Sequence, residues 1–158
     1  MMHDDLPATI ERFYRQHRKE LYSYALALTR NPEAAEDAVQ TAIAGVLGRR
    51  RLPRNLRPYL MRAIRNATID WRRACRKNKP ELAVSAHGQA SPVEERLLLE
   101  QCLLQLPFEV REVIFLKEVV GMTFREIGII CRRPLPTVAS RHRRGIETMR
   151  TFLLEGPS

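Results

Sequence analysis

Near its C-terminal end the sequence carries Thr137, Ser140, Arg141, Arg143 and Arg144 in one short run. Hydroxyls and guanidinium forks are the side-chain types that contact phosphate oxygens and base edges. They act together only if a helix presents them, and the surrounding pattern predicts one from about Leu135 to Leu153. Its buried face would carry Val138, Ile146, Met149 and Phe152. Ahead of it, Thr123-Phe124-Arg125-Glu126 has the form of a capping box opening a short helix to about Ile130, and Arg132-Arg133-Pro134 makes a turn. Two helices joined so tightly have the proportions of a helix-turn-helix, whose second helix enters the major groove while the first crosses the backbone. The same pattern also describes an ordinary helical hairpin with a solvated basic face. His142, set among these arginines, reads as a phosphate or solvent neighbour rather than a pH switch.

Chemistry of other kinds is missing from the sequence. It has no glycine-rich phosphate loop, no HExxH and no Cys/His group at metal-ligand spacing. No catalytic residue, metal or cofactor is expected, and the chain does not read as an enzyme. The formal net charge of +9, weighted towards arginine, favours a polyanionic partner. Cys75, Cys102 and Cys131 are odd in number and far apart, which argues against a disulfide framework and suits a reducing cytoplasm. The N-terminus lacks the basic-then-apolar layout of a signal peptide, and no apolar stretch approaches the ~18 residues of a membrane span. A cytoplasmic protein with no membrane insertion is expected.

The elements that must hold these residues are helical throughout. Apolar residues make up 44% of the 158, enough for a real core. Ile10, Phe13, Tyr14, Leu21, Tyr24, Ala25 and Leu28 form an amphipathic stripe over Ala8 to Thr29. Asn31-Pro32-Glu33 combines an N-cap, a proline at the first helical position and an acid in the first turn, and starts a helix to about Leu47. The run GRRRLPRN interrupts it. A third helix from about Pro58 to Arg76 buries Leu60, Ile64 and Ala67, with Trp71 either its core anchor or facing DNA. Asn78 to Ala90 reads as a flexible linker. Ser91-Pro92-Val93-Glu94 opens a helix ending near Leu106, and Pro107 opens the next. Val119-Val120 is too short for a strand, and Gly121 stops it. The expected fold is all-α: two small helical domains, at 6–77 and 91–154, joined by the flexible linker at 78–90, with the helix-turn-helix in the C-terminal one.

At this point a family resemblance stands on particular residues. Leu106-Pro107, Arg111, Val113, Leu116, Gly121, Glu126-Ile127, Pro134, Thr137-Val138 and Ser140-Arg141 resemble the C-terminal domain of extracytoplasmic-function (ECF) sigma factors of the sigma-70 family. Asn31-Pro32-Glu33 through Ala35-Glu36-Asp37-Ala38-Val39-Gln40 resembles that family's core-polymerase-binding helix. Leu56 to Leu60, Arg65-Asn66-Ala67 and Ile69 to Arg73 resemble its promoter-melting helix. Two distinct motif sets in the expected order are far more specific than a lone helix-turn-helix.

The resemblance implies a factor that directs core RNA polymerase to promoters and assists DNA melting. Region 2-like residues 6–77 would hold the polymerase and the −10 element, and region 4-like residues 91–154 the −35 element. Thr137, Ser140, Arg141, Arg143 and Arg144 would read or clamp −35 DNA. Asn66 matches a position that helps hold a flipped base, or is a plain surface or capping asparagine. Arg62, Arg65, Arg72 and Arg73, continued by Arg76 and Lys77, would track −10 phosphates. Glu33, Glu36, Asp37 and Gln40 would engage the clamp helices of the β′ subunit, with the β flap as a further polymerase contact and an anti-sigma factor as regulator. The alternatives are a helix-turn-helix regulator that does not replace sigma and a sigma-like decoy for an anti-sigma factor. Leu47, where an aromatic is frequent, Pro136 in place of glycine and Ala139 in place of a basic residue depart from the family pattern, as does the short basic loop before Leu56.

Overall fold

The computed structural model describes residues 5–77 and 93–155. Among them are seven α-helices: α1 (Leu6–Thr29), α2 (Pro32–Leu47), α3 (Leu56–Lys77), α4 (Val93–Leu104), α5 (Phe108–Ile114), α6 (Phe124–Cys131) and α7 (Leu135–Glu155). No strand occurs among the described residues. The expected linker at 78–90 and the Ser91-Pro92 helix start lie outside them. The chain divides into two compact units, one built on α1–α3 with Ile129–Cys131 at the end of α6 grouped to it, the other on α4, α5, the start of α6 and α7.

In the first unit each helix packs on the other two. The stripe on α1 is buried at Ile10, Leu21, Tyr24, Ala25 and Leu28, while Phe13 and Tyr14 are only partly covered. The inner face of α2 consists largely of small side chains, Ala34, Ala35, Ala38 and Ala42 with Val39 and Val46, so its outer face is set close over the core. The corner between α1 and α2 is tight because its local bonds close on themselves. The Thr29 hydroxyl donates to the Ala25 carbonyl at 2.8 Å and accepts the Asn31 N–H at 3.3 Å. Asn31 Oδ1 then accepts the Ala34 N–H at 3.0 Å, the N-cap bond that the sequence predicts. Between them Arg30 takes a left-handed backbone, φ 56°, which costs an L-residue roughly 1 kcal/mol. Its Nε is enclosed, and burial lowers its guanidinium pKa.

α3 is tied to α1 by a forked ion pair. Arg57 Nε donates to Glu20 Oε2 at 3.1 Å and Nη2 to Oε1, while His17 Nδ1 lies 3.3 Å from the same carboxylate. The buried side of α3 holds Leu60, Met61, Ile64 and Thr68. Trp71 is partly exposed, so the anchor role falls instead to Leu60, Met61 and Ile64, about two and three turns earlier.

The second unit is centred on Leu106, Val110 and Ile114, with Leu103, Ile146 and Met149 packed against them. α4 ends at Leu104, slightly earlier than its sequence suggests, and its terminal carbonyls are claimed by a side chain. Arg111 donates from Nε to the Leu103 carbonyl and from Nη2 to the Leu106 carbonyl, each at 3.0 Å. α5 runs into a π-helical turn, Phe115–Val119, which the sequence gives no sign of. Gly121, at φ 80°, ends it and rules out the strand. All three cysteines are free thiols, and burial pushes the Cys102 thiol pKa up.

Candidate nucleic-acid interface

The helix-turn-helix is built as the sequence predicts. Thr123 N–H donates to Glu126 Oε1 at 3.0 Å, and Glu126 N–H returns a bond to Thr123 Oγ1 at 3.1 Å, the reciprocal capping box at the start of α6. α6 ends on Arg132 in the left-handed region, φ 53°, and the Arg133 N–H donates to the Gly128 carbonyl at 3.0 Å. α7 begins at Leu135 and runs unbroken through Pro136, because a first-turn proline surrenders no intrahelical bond.

Burial sorts the side chains of α7. Val138 and Gly145 are buried, and Ile146, Met149 and Phe152 are partly buried, so the predicted inner face is present. Ser140, Arg143 and Arg144 stand exposed on the far side, with no partner among the described residues. Thr137 and Arg141 do not share that full exposure. Arg141 lies three residues after Val138 and four before Gly145, which sets it on the flank of the buried stripe. One of its terminal nitrogens, Nη1, is enclosed without a hydrogen-bond partner. His142 is only partly exposed and has a partner within the unit. Its Nε2 sits 2.7 Å from Glu118 Oε1, on the π-helical turn, and its ring meets Phe124 edge-on at 5.2 Å. Lys117 covers the same Phe124 ring at 4.9 Å. α7 is therefore braced at His142 from Phe124 of α6 and from the π-helical turn, contacts that involve residues far apart in sequence.

In the first unit, Glu33, Glu36, Asp37 and Gln40 are all exposed on one face of α2, at helical spacing, and none has a partner among the described residues. Glu36 and Gln40 also line a groove against α1 with Tyr14, Arg18, Lys19 and Tyr22. On α3, Asn66, Arg73 and Arg76 are exposed, while Arg62, Arg65 and Arg72 are partly buried. Arg62, Arg65, Asn66, Arg73 and Arg76 share the face opposite Leu60 and Ile64, and Arg72 stands at its margin. Nothing is described of the Lys77 side chain. Asn66 lies in mid-helix, so the capping alternative does not apply. In the basic loop, Arg49, Arg50, Arg51 and Arg54 are exposed, and Arg49 stacks on Tyr59 at 5.1 Å while donating to its hydroxyl at 3.3 Å. That pairing joins the loop to the first turn of α3, and periodicity alone could not have found it. No group of metal-binding side chains occurs among the described residues. No described helix is long and apolar enough to cross a membrane.

Comparison with known proteins matches residues 13–78 to the sigma-70 region 2 family and residues 96–149 to the sigma-70 region 4 family. The ECF RNA polymerase sigma factor SigL of Mycobacterium tuberculosis is 30% identical over 94% of this chain and 90% of its own. The ECF RNA polymerase sigma factor SigM of Bacillus subtilis is 25% identical over 77% of this chain and 81% of its own. Among solved structures, the sigma factor RpoE in complex with the anti-sigma factor NepR, from Bartonella quintana, aligns with a TM-score of 0.73 at 20% identity, covering 95% of this chain and 99% of that one. CnrH, solved with the cytosolic domain of CnrY, aligns at 0.72 and 19%, covering 96% and 91%. At these identities the solved structures speak to the fold.

Proposed function

The chain belongs to the ECF group of sigma-70 factors, and from that premise we propose how its two units divide the work of starting transcription. As a sigma factor it directs core RNA polymerase to promoter DNA. The other two readings, a regulator that does not replace sigma and a decoy for an anti-sigma factor, are not favoured, since both the region 2 and the region 4 families match in order.

The observation that carries the division of labour is the segregation of charge by helix. The charged side chains of α2 are all acidic, Glu33, Glu36 and Asp37, exposed beside Gln40, whereas exposed charge on α3 and α7 is mostly arginine, with Asp70 and Glu147 among the few acids. Polyanionic DNA is attracted to the second kind of surface and repelled by the first. In this reading, residues 6–77 form the unit that binds core polymerase through α2, at the β′ clamp helices, and the −10 element through Asn66, Arg62, Arg65, Arg72 and Arg73. Residues 91–154 form the −35 unit, with 78–90 joining the two. Ser140, Arg143 and Arg144 make its outward contacts. Thr137 and Arg141 contribute from the flank, where the enclosed Arg141 nitrogen favours a positioning part over a free reach to a base. The second unit also docks on the β flap, and an anti-sigma factor holds the protein inactive. The chain acts in the cytoplasm as a specificity subunit with no reaction of its own.

Run-off transcription tests the main reading: purified core polymerase with this protein on genomic fragments of its source organism should initiate at discrete sites. Initiation no different from core polymerase alone would reject it. On a fragment so recovered, Arg144→Ala should weaken promoter binding by about 1–3 kcal/mol if the guanidinium contacts a base edge. A titration that superimposes on wild type would remove Arg144 from the interface.

A further inference from the structure

Where α6 ends and turns towards α7, two positions, one inside the helix and one just past it, make demands that only glycine meets freely, and the chain answers them differently. At Gly128 a Cβ would lie 2.9 Å from the Arg133 carbonyl oxygen, and glycine stands there. At position 132 the backbone is left-handed, φ 53° and ψ 50°, yet the residue is arginine. The turn allows no escape from that conformation. The N–H groups of Arg132 and Arg133 both donate to the Gly128 carbonyl, and Pro134 bars Arg133 from helical backbone angles.

The other left-handed non-glycine among the described residues, Arg30, is partly buried and has its Nε enclosed. Packing offsets its strained backbone. Arg132 has no such compensation: it is exposed, and no carboxylate pairs with it among the described residues. The adjacent Arg133 is exposed too, and the one bond its side chain makes there is a 3.4 Å contact with the Arg132 carbonyl. Their backbone groups are committed to the turn, so only the guanidiniums are available to a partner. A costly conformation kept without an internal return is the mark of a residue retained for contact with something else.

The partner must be an anion. No acid occurs between Arg132 and Glu147, a stretch that also holds Arg141, Arg143 and Arg144. In a docked helix-turn-helix, the N-terminal end of the second helix enters the major groove, which brings the preceding turn to the sugar–phosphate backbone at the groove's edge. We propose that Arg132 and Arg133 form a phosphate clamp on that backbone. It fixes the register of α7 in the groove and carries no sequence information. The clamp rests on the reading of this unit as promoter-binding.

The test uses the full chain assembled with core polymerase on a promoter fragment recovered by run-off transcription, titrated over a range of salt. Arg132→Gly should melt at an unchanged or higher temperature, because it relieves the left-handed backbone, and yet bind DNA more weakly. The plot of log affinity against log salt should become shallower by about 0.9 for each arginine removed, and by about 2 for Arg132→Gly with Arg133→Ala. The loss should be uniform across −35 variants, and Arg132→Lys should keep the wild-type slope. Slopes and affinities matching wild type, with Arg144→Ala still weakening binding, would overturn the clamp alone. A lower melting temperature for Arg132→Gly would overturn it as well, by making Arg132 a structural residue. If Arg144→Ala changes nothing either, or no fragment is initiated, the promoter reading falls and takes the clamp with it.

Discussion

Replacing Asp37 with lysine is expected to lower the affinity of this sigma factor for core polymerase on the order of 100-fold, about 3 kcal/mol. Asp37 is exposed, has no partner among the described residues and lies beyond the first turn of α2, where the helix dipole gives a carboxylate little. Reversal therefore removes no internal bond, and the melting temperature should stay within the shift that about 0.5 kcal/mol produces. Across an interface, by contrast, a lysine placed against a surface that accepts acids loses an attraction and adds a repulsion. Asp37→Asn, which only removes charge, should fall between the two. Competition for limiting core polymerase measures the effect, and run-off yield should follow it. Core binding equal to wild type for Asp37→Lys, and again when Glu36→Lys is added, would remove the outer face of α2 from the polymerase interface.

Local signals made much of the fold legible, because several helix starts are closed by residues next to one another in sequence. Asn31-Pro32-Glu33 and the Thr123–Glu126 box are of this kind, and both form the bonds that their residue types imply. The acidic face of α2 and the outward face of α3 were legible for a related reason: helical periodicity fixes which residues share a side. What escaped were features settled by neighbours distant in the chain. His142 looked like one more basic residue on a basic helix until Glu118, twenty-four positions earlier, met it across the unit. Arg141 has the composition of a base reader, but its position between Val138 and Gly145 draws it to the margin of the buried stripe. The π-helical turn at Phe115–Val119 has no compositional mark, since Phe, Leu and Val suit an α-helix core equally well. Trp71, open on sequence between core anchor and DNA-facing residue, is only partly covered. Its size suggested an anchor, whereas the first turns of α3 had already filled the core with Leu60, Met61 and Ile64.

Gly145 shows how packing can reverse a rule of local propensity. In a helix interior, exchanging glycine for alanine ordinarily stabilises by about 1 kcal/mol, since glycine surrenders more backbone freedom on folding. Gly45 in α2 meets that condition: a Cβ there finds nothing within 4 Å, so Gly45→Ala should stabilise the protein by about that amount. In α7 the same exchange meets the core. A Cβ on Gly145 would fall 2.5 Å from Ile114 Cγ1, 2.6 Å from its Cδ1 and 3.0 Å from Val110 Cγ1. Ile114 is 2% exposed and belongs to the cluster with Leu106 and Val110, so it has little room to retreat. Overpacking of this kind costs about 1–3 kcal/mol, which cancels or exceeds the propensity gain for alanine. For Gly145→Leu the cost should reach about 3 kcal/mol, a large share of the stability of a unit this small. The predicted consequence is selective. The melting transition of the α4–α7 unit should fall and promoter binding should weaken, while core binding through α2 persists. Ile114→Ala and Gly145→Ala combined should cost less than the sum of the two alone, because the truncated side chain vacates the space that the new methyl takes. Thermal melts of the single and double variants decide it. Additive destabilisation would mean that the close approach of α5 to α7 does not limit residue 145, and glycine's presence in that helix would need another cause.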